Sequence, residues 1–130
     1  MGNLEGIRYL KTHEWAREDG DLITVGISEF AVEQLNREIV YIELPKVGQT
    51  FKRSASFGVI ESVKAASDMY APVGGVIEAI NDEVAADPAK LGDDPFGSGW
   101  LIKIRPDNAA EFNDLLDATA YDAVTAEESH

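Results

Sequence analysis

Short runs of β-branched and aromatic residues, bounded by turn residues, dominate the hydrophobic pattern of this chain. Such runs are typical of β-strands. The pattern predicts strands at residues 22–27, 39–44, 57–63, 69–73, 76–80 and 100–105. In the last run the residues alternate, so that Trp100, Ile102 and Ile104 are expected to face inward. Six or seven short strands at this spacing predict a mainly-β sandwich or barrel with peripheral helices.

Turn and capping residues organise the first half of the chain. Asp-Gly at 19–20 is a hairpin signal and pairs the strand at 22–27 with the segment before it. Ser28 follows that strand and is a suitable N-cap for a short helix running toward Leu35.

A C-terminal helix is predicted after the last strand. Asn108 resembles a helix-capping residue, and Phe112, Leu115 and Leu116 follow it at helical spacing. This helix is expected to pack on the sheet. The polar, acidic tail at 125–130 is expected to fray.

The chain length of 130 residues predicts one domain spanning residues 1–130. The chain has no cysteine, which excludes disulfides, thiolate metal sites and cysteine nucleophiles. Its two histidines, His13 and His130, form no metal-ligand spacing and accompany no nucleophile motif. We therefore expect neither a metal site nor a catalytic residue.

A formal net charge of −13 limits the classes of partner that the protein can bind. Phosphates of nucleic acids and anionic membranes would repel it, whereas partners with basic surfaces would attract it. No apolar run approaches the roughly 20 residues of a membrane span, and the N-terminus lacks the pattern of a signal peptide. The chain is therefore expected to be soluble and intracellular, or a mature form without its transit peptide.

Lys64 stands between the strands predicted at 57–63 and 69–73, near the tip of a hairpin. A lysine at such a tip is ordinarily a solvated charge. The small residues Ala65 and Ala66 beside it would let a modifying enzyme reach the amine. Residue-level reasoning alone still favours the solvated charge.

The context of Lys64 resembles a known family. Its segment reads Glu-Ser-Val-Lys-Ala at 61–65, Ser-Asp at 67–68, Ala-Pro at 71–72 and Gly75. Further motifs match in order: His-Glu-Trp at 13–15, Val-Gly-Ile-Ser at 25–28, Glu-Leu-Pro at 43–45, Asp-Pro-Phe at 94–96, Gly-Trp-Leu at 99–101 and Tyr121. By these motifs the chain resembles the glycine cleavage system H proteins, which are lipoyl carriers. It departs at 35–38, where Leu-Asn-Arg-Glu replaces the family's Leu-Gly-Asp or Leu-Gly-Glu.

This resemblance implies a flattened barrel-sandwich hybrid of two antiparallel sheets and a non-catalytic function. Lipoate would be amide-linked to Lys64. The arm would carry the aminomethyl group of glycine from a pyridoxal-phosphate glycine decarboxylase (P protein) to an aminomethyltransferase (T protein). Dihydrolipoamide dehydrogenase (L protein) would then reoxidise the dithiol.

The resemblance also assigns residues around the arm. Glu61 and Gly75 would help lipoylating enzymes recognise the hairpin. Thr12, Glu14 and Asp68 would line a cleft that shelters the loaded arm. Without the resemblance, Glu14 is expected to be an exposed strand carboxylate, Asp68 a turn former and Gly75 a turn residue with positive φ.

Three alternatives remain open. The first alternative is another swinging-arm domain. A biotin carrier usually has Met on both sides of its lysine, and a lipoyl domain of a 2-oxoacid dehydrogenase usually has Asp just before its lysine. Here Val63 and Ala65 flank Lys64. An H-like protein that relays lipoate to other enzymes is the second alternative. The third is an unmodified β-sandwich interaction module.

Overall fold

The computed structural model describes residues 6–35, 38–63 and 65–128. In this part of the chain the strands are β1 (Arg8–Tyr9), β2 (Glu14–Asp19), β3 (Leu22–Ile27), β4 (Ile39–Glu43), β5 (Thr50–Phe51), β6 (Ser56–Ser62), β7 (Ala66–Tyr70), β8 (Gly75–Ile80) and β9 (Ile102–Pro106). The α-helices are α1 (Glu29–Gln34), α2 (Asp82–Ala86), α3 (Ala89–Asp93) and α4 (Ala118–Glu128). A 3-10 helix spans Ala109–Asp114.

The strands form two antiparallel sheets. One has six strands in the order β1-β2-β3-β9-β8-β5, and the other has three in the order β4-β6-β7. The predicted mainly-β architecture is therefore confirmed. The hairpin signal at 19–20 is also confirmed, since Asp19 pairs with Leu22 across β2 and β3. Within the described residues neither sheet closes on itself, so the architecture is a layered sandwich rather than a closed barrel.

The hydrophobic core lies between the two sheets. The larger sheet contributes Val25 and Ile104, and the smaller sheet contributes Ile60 and Met69, all of them at most 3% exposed. Burial of each such side chain stabilises the fold by roughly 1.5–3 kcal/mol. The short helix α1 closes one side of this core through Val32, and Ser28 caps it by accepting a hydrogen bond from Ala31 N, as predicted.

The hairpin expected around Lys64 is formed by β6 and β7. Glu61 pairs with Ala66 at its end. The turn is held by Ser62, whose backbone N donates to Ala65 O at 2.7 Å and whose hydroxyl oxygen accepts from Ala65 N at 3.2 Å. Lys64 itself lies outside the described residues.

The C-terminal helix exists, but it begins later than the sequence pattern predicts. The segment after Asn108 forms the 3-10 helix, and Leu115 is already extended. Leu116 then pairs with Tyr9 in an isolated bridge. The true C-terminal helix, α4, continues to Glu128 and includes the first part of the segment expected to fray. Fraying of that last turn stays a prediction.

The last core strand also begins later than predicted. It starts at Ile102, which is buried as expected together with Ile104. Trp100 lies before the strand, is only half-buried, and packs against a second small cluster around Trp15. The prediction that Trp100 faces the main core was therefore wrong.

Candidate functional site

The loop between β1 and β2 brings a group of polar side chains together. Leu10 N donates to Glu14 O at 2.9 Å, and Ser28 N donates to His13 O at 2.8 Å. His13 has a φ of +81°, a left-handed conformation that costs on the order of 1–2 kcal/mol for a residue with a Cβ. The loop therefore turns sharply just before β2 and sets the positions of Thr12, His13 and Glu14.

Glu14 is a buried carboxyl group, with 1% of its surface exposed. Its Oε2 accepts a hydrogen bond from Tyr70 N at 2.6 Å, and its Oε1 accepts one from the Thr12 hydroxyl. Burial raises the pKa of Glu14 above its usual 4.5, and these two hydrogen bonds and the nearby His13 oppose that shift. Within the described chain no Lys or Arg helps to hold its charge. A cationic ligand would complete this site.

A cavity of about 220 Å³ opens beside Glu14. Its walls come from β2, from the Lys64 hairpin, from α1 and the residue after it, and from the end of α4. Its polar lining includes Thr12, His13, Glu14, Asp68 and Glu128, and its apolar lining includes Ala31 and Leu35. An adjoining shallower recess shares Thr12, His13, Asp68 and Glu128 and extends to Lys11 and Tyr70. Together they form a cleft, which we call the arm cleft.

Asp68 lies on the hairpin strand β7 at the rim of this cleft. Its side chain is exposed, and the nearest hydrogen bond is a weak one of 3.4 Å from the Ser56 hydroxyl to Oδ1. Asp68 is thus a solvated carboxylate at the mouth, in contrast to the desolvated Glu14 inside. The predicted trio Thr12, Glu14 and Asp68 does meet at one cavity.

The two residues assigned to recognition lie apart from this cavity and from each other. Glu61 is half-buried on β6, beside the turn of the hairpin. Gly75 begins β8 in the larger sheet and pairs with Pro106. Its φ of +158° and the position of Arg105 O, which would lie 2.1 Å from an added Cβ, both require glycine.

A chain of polar contacts beside the cleft was not predicted from the sequence. His13 Nδ1 lies 2.7 Å from the Tyr121 hydroxyl, which lies 2.6 Å from the Ser28 hydroxyl. His13 Nε2 lies 2.9 Å from Glu128 Oε1. The sequence pattern singled out His13, Ser28 and Tyr121 separately, but nothing in it places residues more than 90 positions apart in contact. Glu128 carried no signal at all.

The described residues contain no group of three or more His, Asp or Glu side chains arranged to hold a metal ion. None of the helices found in them combines the length and the apolar character needed to cross a bilayer.

Comparisons with known proteins point to one family. The model of the family described as "Glycine cleavage H-protein" matches residues 7–128. The chain is 50% identical over 120 residues to the glycine cleavage system H protein of Rippkaea orientalis, covering 92% of this chain and 90% of that protein. It is 48% identical over 119 residues to the probable glycine cleavage system H protein of Natronomonas pharaonis, covering 92% and 93%.

A solved structure agrees with the fold. The crystal structure of a glycine cleavage system H protein from Mycobacterium marinum superimposes with a TM-score of 0.85 at 35% identity, over 93% of this chain and 97% of that one. The barrel-sandwich fold expected from the sequence is thereby confirmed.

Proposed function

The chain belongs to the glycine cleavage H-protein family, whose members are lipoate carriers and not themselves catalysts, and we propose that Lys64 is its lipoyl attachment site. The observation that supports this best is the arm cleft, because strands β6 and β7, which flank position 64, form one of its walls. An arm attached between these strands starts next to a cavity that ends at a buried carboxyl group.

The proposed cargo is the aminomethyl group of glycine. The protein receives it at the P protein, delivers it to the T protein, and returns to the L protein for reoxidation. The proposed location is the bacterial cytoplasm, or the mitochondrial matrix for a mature organelle form. Lipoylating enzymes are further partners, and Glu61 and Gly75 are the residues through which they would recognise the hairpin.

The residues of the arm cleft fit such an arm. Ala31 and Leu35, which are partly exposed, provide apolar surface suited to a hydrocarbon chain, and Glu14 lies deeper with a carboxyl group. When attached, lipoate supplies a disulfide that can be reduced and can bear the cargo. The chain itself shelters the arm and holds its end.

Glu14 is the proposed contact for the cationic end of the loaded arm. A hydrogen bond between ionised partners is about twice as strong as a neutral one and gains further where water is excluded. Burial already disfavours the charged form of Glu14, so its pKa is raised while the cleft holds no cation. A bound ammonium group reverses that penalty and lowers the pKa again. Thr12 orients Glu14, and Asp68 attracts the cation at the rim.

Attachment at Lys64 is tested by intact mass spectrometry. The protein is expressed with lipoate, and the parent is compared with Lys64→Arg. We expect a lipoyl-sized mass increase in the parent and none in the variant, because arginine cannot form the amide. A biotin-sized increase would indicate a biotin carrier instead. No increase with a competent lipoylating enzyme present would favour an unmodified interaction module.

The shuttle is distinguished from a lipoate relay by glycine–bicarbonate exchange. Lipoylated protein should support this exchange when mixed with a glycine decarboxylase. A lipoylated protein that fails to support it, yet transfers lipoate to other enzymes, would be a relay.

Shelter of the cargo is tested with Glu14→Ala and with Glu18→Ala, an exposed position of the same strand β2. Loss of a charge-assisted contact of about 2 kcal/mol predicts that Glu14→Ala releases ammonia and formaldehyde roughly tenfold faster or more. Glu18→Ala should match the parent. Equal release from Glu14→Ala and the parent, at equal lipoylation, would contradict the role of Glu14.

A further inference from the structure

Helix α4 is attached to the rest of the molecule through few contacts. Among its described residues only Tyr121 is buried, at 6% exposure. The Tyr121 ring stacks on Tyr9, with ring centroids 4.1 Å apart and planes 5° from parallel. An isolated helix of 11 residues is marginal in water. Its position therefore depends on Tyr121, on the polar contacts that this residue makes, and on the bridge between Leu116 and Tyr9 just before the helix.

The polar contacts around His13 define a consistent direction of hydrogen bonding. A carboxylate only accepts, so His13 Nε2 donates to Glu128. In a neutral ring Nδ1 then accepts from the Tyr121 hydroxyl, and Tyr121 accepts from Ser28. Burial raises the pKa of Tyr121 to about 12, so its hydroxyl keeps the proton that it donates. The two hydroxyls and the two ring nitrogens of Ser28, Tyr121 and His13 therefore each have a hydrogen-bond partner.

His13 connects two parts of the molecule through this arrangement. Its backbone precedes Glu14, the buried carboxyl of the arm cleft, and its side chain reaches both Tyr121 and Glu128 of α4. The left-handed backbone of His13 is costly, and the contacts of its side chain help to offset that cost. Glu128 meets the cleft as a result and contributes to its wall.

We propose that helix α4, held in place by His13 and Tyr121, is a closing wall of the arm cleft, and that Glu128 is a further carboxylate that retains a cationic arm end. This inference rests on the proposed carrier function. His13 acts as a positioning residue, because it holds Glu128 through one oxygen, Oε1. In the described contacts the second oxygen, Oε2, is not engaged. It is the atom assigned to the ammonium group of the arm.

Charge supports this assignment. The cleft residues Glu14, Asp68 and Glu128 are acidic, and Lys11 is the cation at the edge of its outer recess. Two exposed carboxylates, Asp68 and Glu128, and the buried Glu14 suit an ammonium group moving from the mouth to the interior. A neutral arm of the same size would lack the ionic attraction to them.

The test uses stable arms of different charge on the full-length lipoylated protein. The reduced arm is alkylated with 2-bromoethylamine, which leaves an ammonium end, or with iodoacetamide, which leaves a neutral amide. Docking of the arm is measured in two ways. One is the NMR chemical shift of the Tyr70 amide, which donates a hydrogen bond to Glu14, and the other is hydrogen exchange of the backbone amides of α4. In the parent, the cationic arm should move the Tyr70 signal and slow exchange in α4 several-fold more than the neutral arm does.

The decisive variant is Glu128→Gln, with Glu127→Gln as the matched control. Glu127 lies one position earlier on the same helix, is exposed, and does not line the cleft. Glu128→Gln should abolish most of the extra slowing by the cationic arm, whereas Glu127→Gln should retain it. Equal slowing in Glu128→Gln and the parent would overturn the proposal.

A second variant tests the positioning role of His13. His13→Asn tolerates the left-handed backbone but cannot reach both Tyr121 and Glu128. It should speed exchange in α4 even with the unalkylated arm, and unchanged exchange would contradict the role of His13. If the cationic arm leaves the Tyr70 amide signal of the parent unchanged, the proposed role of the cleft and the proposed role of α4 are both contradicted. If that signal responds but Glu128→Gln behaves like the parent, only the role of α4 fails.

Discussion

At the residue scale, Glu14 combines burial with an ionisable group, which is normally unfavourable. An unpaired carboxylate loses much of its hydration on burial, and neutral donors restore only part of it. The Tyr70 amide and the Thr12 hydroxyl are such donors. A buried acid that lowers the stability of the protein is understandable if it serves a ligand, and the cationic cargo proposed above is such a ligand.

The stability cost of Glu14 should depend on pH. Because burial raises its pKa in the folded state, the folded protein holds the proton more tightly than the unfolded chain does. The favourable contribution of protonated Glu14 to the free energy of unfolding is therefore complete when the pH is below the ordinary pKa of 4.5. It is lost as the pH rises through the raised pKa of the folded state.

We expect the free energy of unfolding of the parent to fall relative to Glu14→Gln as the pH rises through this window. Urea denaturation of both proteins between pH 4 and pH 8 measures the difference, and using the difference removes the other acidic groups common to both chains. A difference that grows in the parent's favour with rising pH would mean that the folded protein stabilises the ionised carboxyl.

The residue types alone do not locate the arm cleft. They predict an exposed strand carboxylate at Glu14 and a turn former at Asp68, whereas Glu14 is buried and Asp68 lies exposed on strand β7 rather than in a turn. The burial of Glu14 depends on Tyr70, which lies 56 positions away and donates through its backbone. A backbone donor leaves no trace in residue type, so the motif resemblance was needed to select Glu14.

At the element scale, β-branched runs and turn signals predict most strands correctly. Burial alternates along β9, where Ile102 and Ile104 are buried and Arg105 is exposed, whereas β3 is buried almost throughout and is recognised by its β-branched residues. The prediction of one continuous helix in the C-terminal region was wrong for a physical reason. Phe112 and Leu115 are both buried, but the 3-10 helix ends between them and Leu115 is extended. Spacing of three to four residues does not distinguish this arrangement from a continuous α-helix. Helix α4 buries only Tyr121 and so presents no apolar stripe to detect.

Gly75 gives a prediction for the packing of the larger sheet. An added Cβ would lie 2.1 Å from Arg105 O and 2.8 Å from a methyl of Ile104. Since backbone cannot move aside cheaply, Gly75→Ala should lower the free energy of unfolding by about 3 kcal/mol, from overpacking and from the unfavourable φ together.

Gly48→Ala is the matched control, measured by the same urea denaturation. Gly48 also has a positive φ, +93°, but nothing lies within 4 Å of its added Cβ. It should therefore cost only the backbone term, about 1 kcal/mol. Equal losses in the two variants would show that the close approach to Arg105 does not constrain β8.

At the scale of the whole molecule, a frame of two sheets belongs to a strongly acidic chain. The chain has 24 Asp and Glu residues against 11 Lys and Arg, for a net charge of −13. The carrier function proposed above requires visits to several enzymes, and such a carrier benefits from fast encounter more than from tight binding. Long-range attraction to basic surfaces raises association rates without requiring a large interface.

This interpretation predicts a salt dependence that is specific to the protein-borne arm. Raising the ionic strength from about 0.01 M to 0.15 M shortens the screening length from roughly 30 Å to 8 Å. The kcat/KM of a glycine decarboxylase for the lipoylated protein should then fall by about tenfold or more, mainly through KM, because steered association is slowed. Free lipoamide, which is uncharged, is the control substrate for the same enzyme over the same salt range, and its kcat/KM should change little. Parallel falls for both substrates would trace the effect to the enzyme, and the acidity of this chain would then serve solubility alone.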